Sequence, residues 1–522
     1  MQDNTTQQIE EKLSERLLGP SEDSDSAHHN TGVFRIDGSH NEDISASAIM
    51  GGGEIIVDSG AVGFGGQQAL GPVYRDTPFA LAFLAHLGVI FFFAVAWGFP
   101  AMRQDGTTAA TQTDDDGSVP EESVSLSGLL WLSCFTSIVS IGISAVSLEV
   151  MMHHAETLIQ SSLIGSCVLM GVMVILFLVD GVSWMAFVWI LSLLITGWYA
   201  RSVWHRIPFA AANLRTALSA IQTNGGICAL AYGIVGLASV WTIVWVLAFI
   251  GVIYHDPSCV AGYCKPHMSV LSGIFMIGSF YWTIQVLQNV LHVTVSGVVG
   301  TWWFAPQDAL SVFSPAIVDS FRRATTYSFG SICMGSLLVA IIQTLESLAR
   351  SAGRQNRNGL LLCIIECILR MLSNIAVYFN RWAYCYVGLY GFDYISSGKK
   401  AMELFQARGW TAIITDNLVY RSLSLVAVVV GAISGFLMML VAKATGWADT
   451  TLGENQDGVI FVLCFLIGVS MAFILMKVVL SAVDTVIIAF AEAPAEFNTH
   501  HPALSNNMIQ KWRQVFPDEC GF

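Results

Sequence analysis

Ten stretches of about 20 or more residues run through this chain, nearly free of charge except the eighth, which Arg370, Asn374, Asn380, Arg381 and Asp393 interrupt, and they fix its fold class before any motif is read. They are 79–99, 126–149, 162–180, 182–200, 226–254, 268–299, 326–347, 360–394, 418–443 and 458–489. Roughly 20 apolar residues in helical conformation cross the ~30 Å hydrocarbon core of a bilayer. Lipid offers no partner for backbone N–H and C=O groups, so only helices and closed barrels can span it. The pattern therefore predicts an all-α polytopic membrane protein with about ten transmembrane helices in a single bundle. Composition agrees, with 54% hydrophobic and only 12% charged residues, against about 25% charged in a soluble domain.

The net charge of −14 is carried outside these stretches. Residues 1–78 hold 13 acids and 4 bases, and residues 100–125 hold 6 acids against Arg103; the rest is neutral. Rich in Ser, Asp, Glu, Asn and Gly, residues 1–78 read as a disordered acidic cytosolic tail. Residues 79–489 then form a transmembrane transporter-type domain, and 490–522 a cytosolic C-terminal tail. No basic patch points to nucleic acid. No early apolar h-region precedes the first span, which is expected to serve as its own insertion signal.

Orientation follows the basic loops. Arg201, Arg206 and Arg215 in 201–225, with Arg322 and Arg323 in 300–325, mark cytosolic loops. The acidic loop 100–125 and the loop CVAGYC, from Cys259 to Cys264, then lie outside, and both chain ends inside. In an oxidising compartment those two cysteines either bridge or stay free thiols. Arg350, Arg354 and Arg357 disagree with this scheme and leave the topology of 348–420 open.

Enzyme signatures are absent: no GxxxxGK[ST], no HExxH and no GxGxxG after a strand. No catalytic residue, cofactor or metal is expected. His153-His154-Ala155-Glu156 supplies one cluster where a metal needs three or four ligands, so it reads as a polar interfacial turn, and His500-His501 likewise. Among charges within the spans, Glu149, Asp180 and Glu346 fall near span ends. Glu366 and Arg370, at i,i+4, read as a structural ion pair as readily as a site. Asp484 reads as a marker of the last span's cytosolic end.

Aromatic residues give a sharper idea. Tyr232, Trp241 and Trp245 lie in the fifth span, Tyr281 and Trp282 in the sixth, and Gln285, Asn289 and His292 continue from the latter pair. Aromatic faces attract quaternary ammonium groups by about 0.5–2 kcal/mol per contact. The candidate binding set is therefore Tyr232, Trp241, Trp245, Tyr281 and Trp282, with Gln285, Asn289 and Gln343 to contact a hydroxyl. Against it stands the ordinary use of Trp and Tyr as interfacial belts and core filler.

The segment 324–405 carries a resemblance. Its apolar run places Ser331 and Gly335 four apart, which lets helices approach closely. The run Ser328-Phe-Gly-Ser-Ile-Cys-Met-Gly-Ser-Leu-Leu resembles the choline transporter-like signature S-x-G-S-x-x-x-G-S-L, and Asn380-Arg-Trp-Ala-Tyr resembles its N-R-x-A-Y element. FAEAPAEFNTHHPAL is similar to the family's proline-containing segment after the last span, and Gly300-Thr-Trp-Trp-Phe to the form in its fungal and protist branch. The resemblance covers about residues 79–510. It implies ten spans, cytosolic termini, a plasma or organelle membrane, and carriage of choline or an ethanolamine-like cation, with the lipid bilayer as the other partner. A membrane scaffold or signalling protein that kept the fold without transport is the alternative. The first external loop, about 25 residues, is much shorter than in animal members.

Overall fold

The computed structural model describes residues 73–100, 126–255, 258–260, 263–265, 269–355, 359–409, 418–445 and 457–517. The acidic tail before residue 73, the acidic loop 101–125 and Arg357 lie outside the described residues, as do the side chains of Arg354, Cys259 and Cys264. In chain order the helices are α1 (Thr77–Phe93, running on through a π-turn at Ala94–Gly98), α2 (Leu126–Val179), α3 (Ser183–Val203), α4 (Ile207–Thr223) and α5 (Gly226–His255). Then come α6 (Val270–Phe304), α7 (Pro315–Thr325), α8 (Phe329–Gln355), α9 (Gly359–Tyr390) and α10 (Tyr394–Ala407). The chain closes with α11 (Leu418–Thr445), α12 (Asp457–Glu492), α13 (Pro494–His500) and α14 (Pro502–Val515). A two-stranded hairpin, β1 (Ser258–Val260) with β2 (Tyr263–Lys265), interrupts the helical pattern and sets Cys259 opposite Cys264.

All ten predicted spans fall on these helices. Among the described residues, eight helical stretches are long and apolar enough to cross a membrane. Polar α9, with Glu366, Arg370 and Arg381, is not one of them. At 54 residues, α2 is more than twice what one crossing needs. His154 breaks it with φ −124° and ψ 34°. Before the break, Thr136 donates to Cys464 (3.2 Å) and Ser140 lies beside Gly468, so that half runs parallel to α12. After it, Ser162 donates to Ser422 (2.8 Å) and Gly165 packs on Leu425, so that half runs parallel to α11. Helices α11 and α12 are antiparallel, with Gly431 against Val469 and Gly435 against Phe461. The halves of α2 thus run in opposite directions, and the exposed His153 and His154 form the turn. Ten crossings result, with residue 76 and residue 492 on one side, the side of the arginine-rich loops.

Of the basic cluster after the seventh span, Arg350 joins a charge network between α8 and α9. Arg350 bonds Glu346 and also Glu366 (3.1 Å), and Arg370 reaches the same two carboxylates (3.5 and 3.1 Å). The pair expected for Glu366 and Arg370 is thus half of a four-membered cluster that pairs Arg350. The eighth span ends at Tyr390, short of the expected 394. Asp393 instead caps α10, accepting the Ser396 N–H (3.0 Å).

Packing is uneven along the membrane normal. Stretches of α6, α9 and α12 toward one end of the bundle are buried almost continuously, at 293–304, 382–389 and 475–491, whereas the first half of α9 is largely exposed. Small residues make this packing possible. A Cβ on Gly388 of α9 would stand 2.6 Å from the Val293 carbonyl of α6. Beneath the bundle the C-terminal helices form a clamp. Trp303 stacks on Phe497 (3.9 Å) and Trp302 on His501 (4.0 Å), while Trp512 donates to Asn213 of α4 (2.9 Å). Residues 494–515 are therefore docked helices, where the sequence gives only a tail.

Gly388→Val is expected to overpack α6 against α9 at a cost of about 1–3 kcal/mol. Thermal unfolding followed by size exclusion should register a lower midpoint, while Gly171→Ala, with nothing within 4 Å of its added Cβ, leaves it unchanged. Burial, opposed by the Trp302 carbonyl at His501 Nε2, holds His501 below its ordinary 6.5. The folded clamp therefore binds a proton less readily than the unfolded chain, so its contribution is present above pH 6.5 and fades as pH falls below it. Proteolysis of 494–517 should quicken at pH 5.5 relative to 7.5. His501→Phe, which keeps the ring and loses the titration, should flatten that dependence.

Candidate functional site

Polar side chains in apolar helices face one another because lipid cannot satisfy them. Between α6 and α8 they form a ladder. Tyr281 meets Ser347 (2.9 Å), Gln285 donates to Gln343 (3.3 Å), and Asn289 donates to Ser336 (2.9 Å) and to the Tyr384 hydroxyl (3.5 Å). Four of the predicted binding residues, Tyr281, Gln285, Asn289 and Gln343, thus share one antiparallel seam. All are half-buried.

On the neighbouring face of α6, Trp282 belongs to an aromatic nest. His86 of α1 stacks on it at 4.6 Å, Phe83 meets it edge-on at 5.2 Å, and Trp241 of α5 meets His86 at 6.5 Å. His86 is tied to the Phe83 carbonyl (2.6 Å) and to the Thr283 hydroxyl (3.3 Å), while the Trp282 N–H donates to the Cys333 carbonyl (3.1 Å). The indole N–H of Trp241 is buried and finds no partner among the described residues. A buried unsatisfied donor is uncommon and marks a place where a ligand or water belongs.

Trp245 and Tyr232 lie apart. Trp245 donates to the Met276 carbonyl (3.0 Å) and stacks on Phe249, filling the α5–α6 seam. Tyr232 sits more than two turns away along α5, toward its start, with its buried hydroxyl beside Ser144 of α2. The eight predicted residues therefore form a nest, a ladder and two separate positions, not a single cage.

Three features escaped the sequence reading. Asp484 does not mark the end of its span: it is 1% exposed and bonds Arg381 of α9 deep in the bundle. Its partner lies 103 residues away in sequence, a distance no local spacing bridges. The second is His86, an isolated histidine in an apolar run. The third is a latch at Asp76, which adopts a left-handed backbone (φ 49°, ψ 36°). Its carboxylate accepts from the Ser331 hydroxyl (2.7 Å) and from the Tyr394 N–H (3.1 Å). A Cβ on Gly330 would stand 2.4 Å from the Asp76 carbonyl oxygen. The Ser-Phe-Gly-Ser run is thus shaped to receive the start of α1. From the latch, the Tyr394 hydroxyl donates to Asn380, Asn380 donates to the Gly335 carbonyl (3.1 Å), and the Tyr384 hydroxyl donates to the Ile332 carbonyl (3.1 Å) while sharing Asn289. One chain of contacts links the latch, which seals this end of the bundle, to the polar ladder.

Loss of the latch carboxylate is expected to loosen that seal. In Asp76→Ala, labelling of fully buried Cys333 by a membrane-permeant thiol reagent, read by mass spectrometry, should accelerate roughly tenfold, the effect of about 1.4 kcal/mol on opening. An unchanged rate would show that the seal lies elsewhere.

Comparison with known proteins follows the same lines. A family model described as plasma-membrane choline transporter matches residues 186–495. Protein pns1 of Aspergillus fumigatus is 30% identical over 331 residues, covering 59% of this chain and 60% of the relative. A CTL-like protein of Dictyostelium discoideum is 31% identical over 302 residues, covering 56% and 52%. Protein PNS1 of Eremothecium gossypii is 25% identical over 479 residues, covering 85% and 82%. The chain spans about half to three fifths of the length of the first two relatives.

Proposed function

The chain belongs to the choline transporter-like family of multi-pass membrane proteins, and on that footing we propose that it carries choline or a related small organic cation by alternating access. The observation that supports this reading is the nest of Trp241, His86 and Trp282 beside a half-open polar ladder, above a packed cytosolic floor. Trimethylammonium has no hydrogen to donate and is held by ring faces. Its hydroxyl needs a polar partner, which Gln285, Asn289 or Gln343 supplies. The plasma membrane is the proposed residence.

Alternating access exposes one central site to each side in turn. The continuous burial at 293–304, 382–389 and 475–491 supports a state closed at that end, which this reading takes as the cytosolic one. Opening inward requires the Asp76 latch and the packing at Gly388 to separate. Because Asn289 shares its hydroxyl partners, Ser336 and Tyr384, with the helix that carries the latch, a ligand that takes Asn289 alters the same network.

Uptake of radiolabelled choline in a transport-deficient host tests the reading. Choline uptake above vector is expected, and Trp282→Ala or Trp241→Ala should weaken half-saturation roughly two- to thirtyfold, the worth of one cation–π contact. No uptake at confirmed surface expression would remove choline as substrate. A scaffold that kept the fold would be indifferent to both substitutions.

A further inference from the structure

We propose that the seam between α6, α9 and α12 holds an anion-binding site built on Lys477. This lysine lies roughly midway along α12, at a depth where the helix is otherwise apolar. Its ammonium donates to Gln288 Oε1 of α6 (2.7 Å) and sits over the Phe473 ring (5.8 Å). Among the described residues no carboxylate oxygen lies within 4.0 Å of it. An ammonium at this depth without a counter-ion costs several kcal/mol, so the position asks for an anion.

The surroundings add positive charge and do not cancel it. Arg381 and Lys477 both act on the same His292 ring from α9 and α12. His292 is occupied by the Ser481 hydroxyl (2.8 Å) and Cys385 (3.5 Å). The one carboxylate of the cluster, Asp484, is spent on Arg381. Two cations therefore share one acid. Their placement matters as much as their number. Asp484 is 1% exposed, the Arg381 side chain 17%, Lys477 is half-buried and Gln288 is exposed. The acid is the most deeply buried of these groups, and Lys477 and Gln288 lie nearer the protein surface, so positive charge faces outward from the seam.

Such a site takes a small anion or the carboxylate or phosphate of a larger ligand. It does not suit choline, which the cations would repel. The site stands apart from the carrier reading: loss of choline uptake with the anion effect intact removes that reading and leaves this one, and the converse holds equally.

Thermal unfolding of the purified full chain at constant ionic strength tests it. Replacing sodium gluconate by chloride or inorganic phosphate should raise the midpoint by a few degrees. A rise with these free anions marks an inorganic-anion site. A rise with trimethylglycine that exceeds both choline and chloride marks a ligand-borne carboxylate. Lys477→Gln should abolish whichever rise occurs, and Lys443→Gln, at the exposed pair with Asp457, should retain it. Should Lys477→Gln not fold, Lys477→Arg is expected to keep the rise and Gln288→Leu to shift the half-maximal anion concentration at least threefold upward. No anion-dependent rise in the unaltered chain, an equal rise in Lys477→Gln, or an unshifted Gln288→Leu overturns the proposal.

Discussion

Polar groups in the membrane body of this protein turn toward one another, because the lipid around it satisfies none of them. That constraint explains why the polar residues of α6, α8 and α9 face one another. It also explains why small residues stand where those helices meet. The hydroxyl of Tyr384 reaches Ser336 and the Ile332 carbonyl only because Gly335 leaves room for the ring; a Cβ there would lie 2.4 Å from that hydroxyl oxygen. Gly388 does the same for α6 and α9. Close approach and polar satisfaction depend on each other. A bulkier residue at either glycine would separate the helices and strand several buried donors together.

The same dependence gives the end of the bundle beside the C-terminal helices its character. Ladder, latch, buried ion pair and C-terminal clamp all lie on or lead to that side, and each joins helices far apart in sequence. The other half has the Glu346–Arg370 cluster, the Tyr281–Ser347 and Gln285–Gln343 rungs of the ladder, the Trp245 bond to the Met276 carbonyl and the Lys443–Asp457 pair.

Helix identity was legible in the sequence because a bilayer imposes a length and a polarity that no soluble fold requires. All ten apolar runs are helical, and the basic loops fall on one side. The family was legible through Ser328–Leu338 and Asn380–Tyr384, where glycine, serine and asparagine have no use on a lipid-facing surface. Partner choice was not. Asp484 reads as a span end until Arg381 is brought to it, and the spacing that unites Tyr281, Gln285 and Asn289 says nothing of which helix answers them. Trp245 and Trp241 share a helix face yet differ in role, since one indole finds the Met276 carbonyl and the other finds nothing. Helical periodicity reports a face; tertiary packing decides what meets it.

The reversal at His154 has a consequence for how the chain enters the membrane. With a single non-helical residue between two crossings, no loop separates them, and the chain presents them to the membrane as one tight helical hairpin. The exposed His153 and His154 stay behind at the surface, as the pivot around which that pair closes.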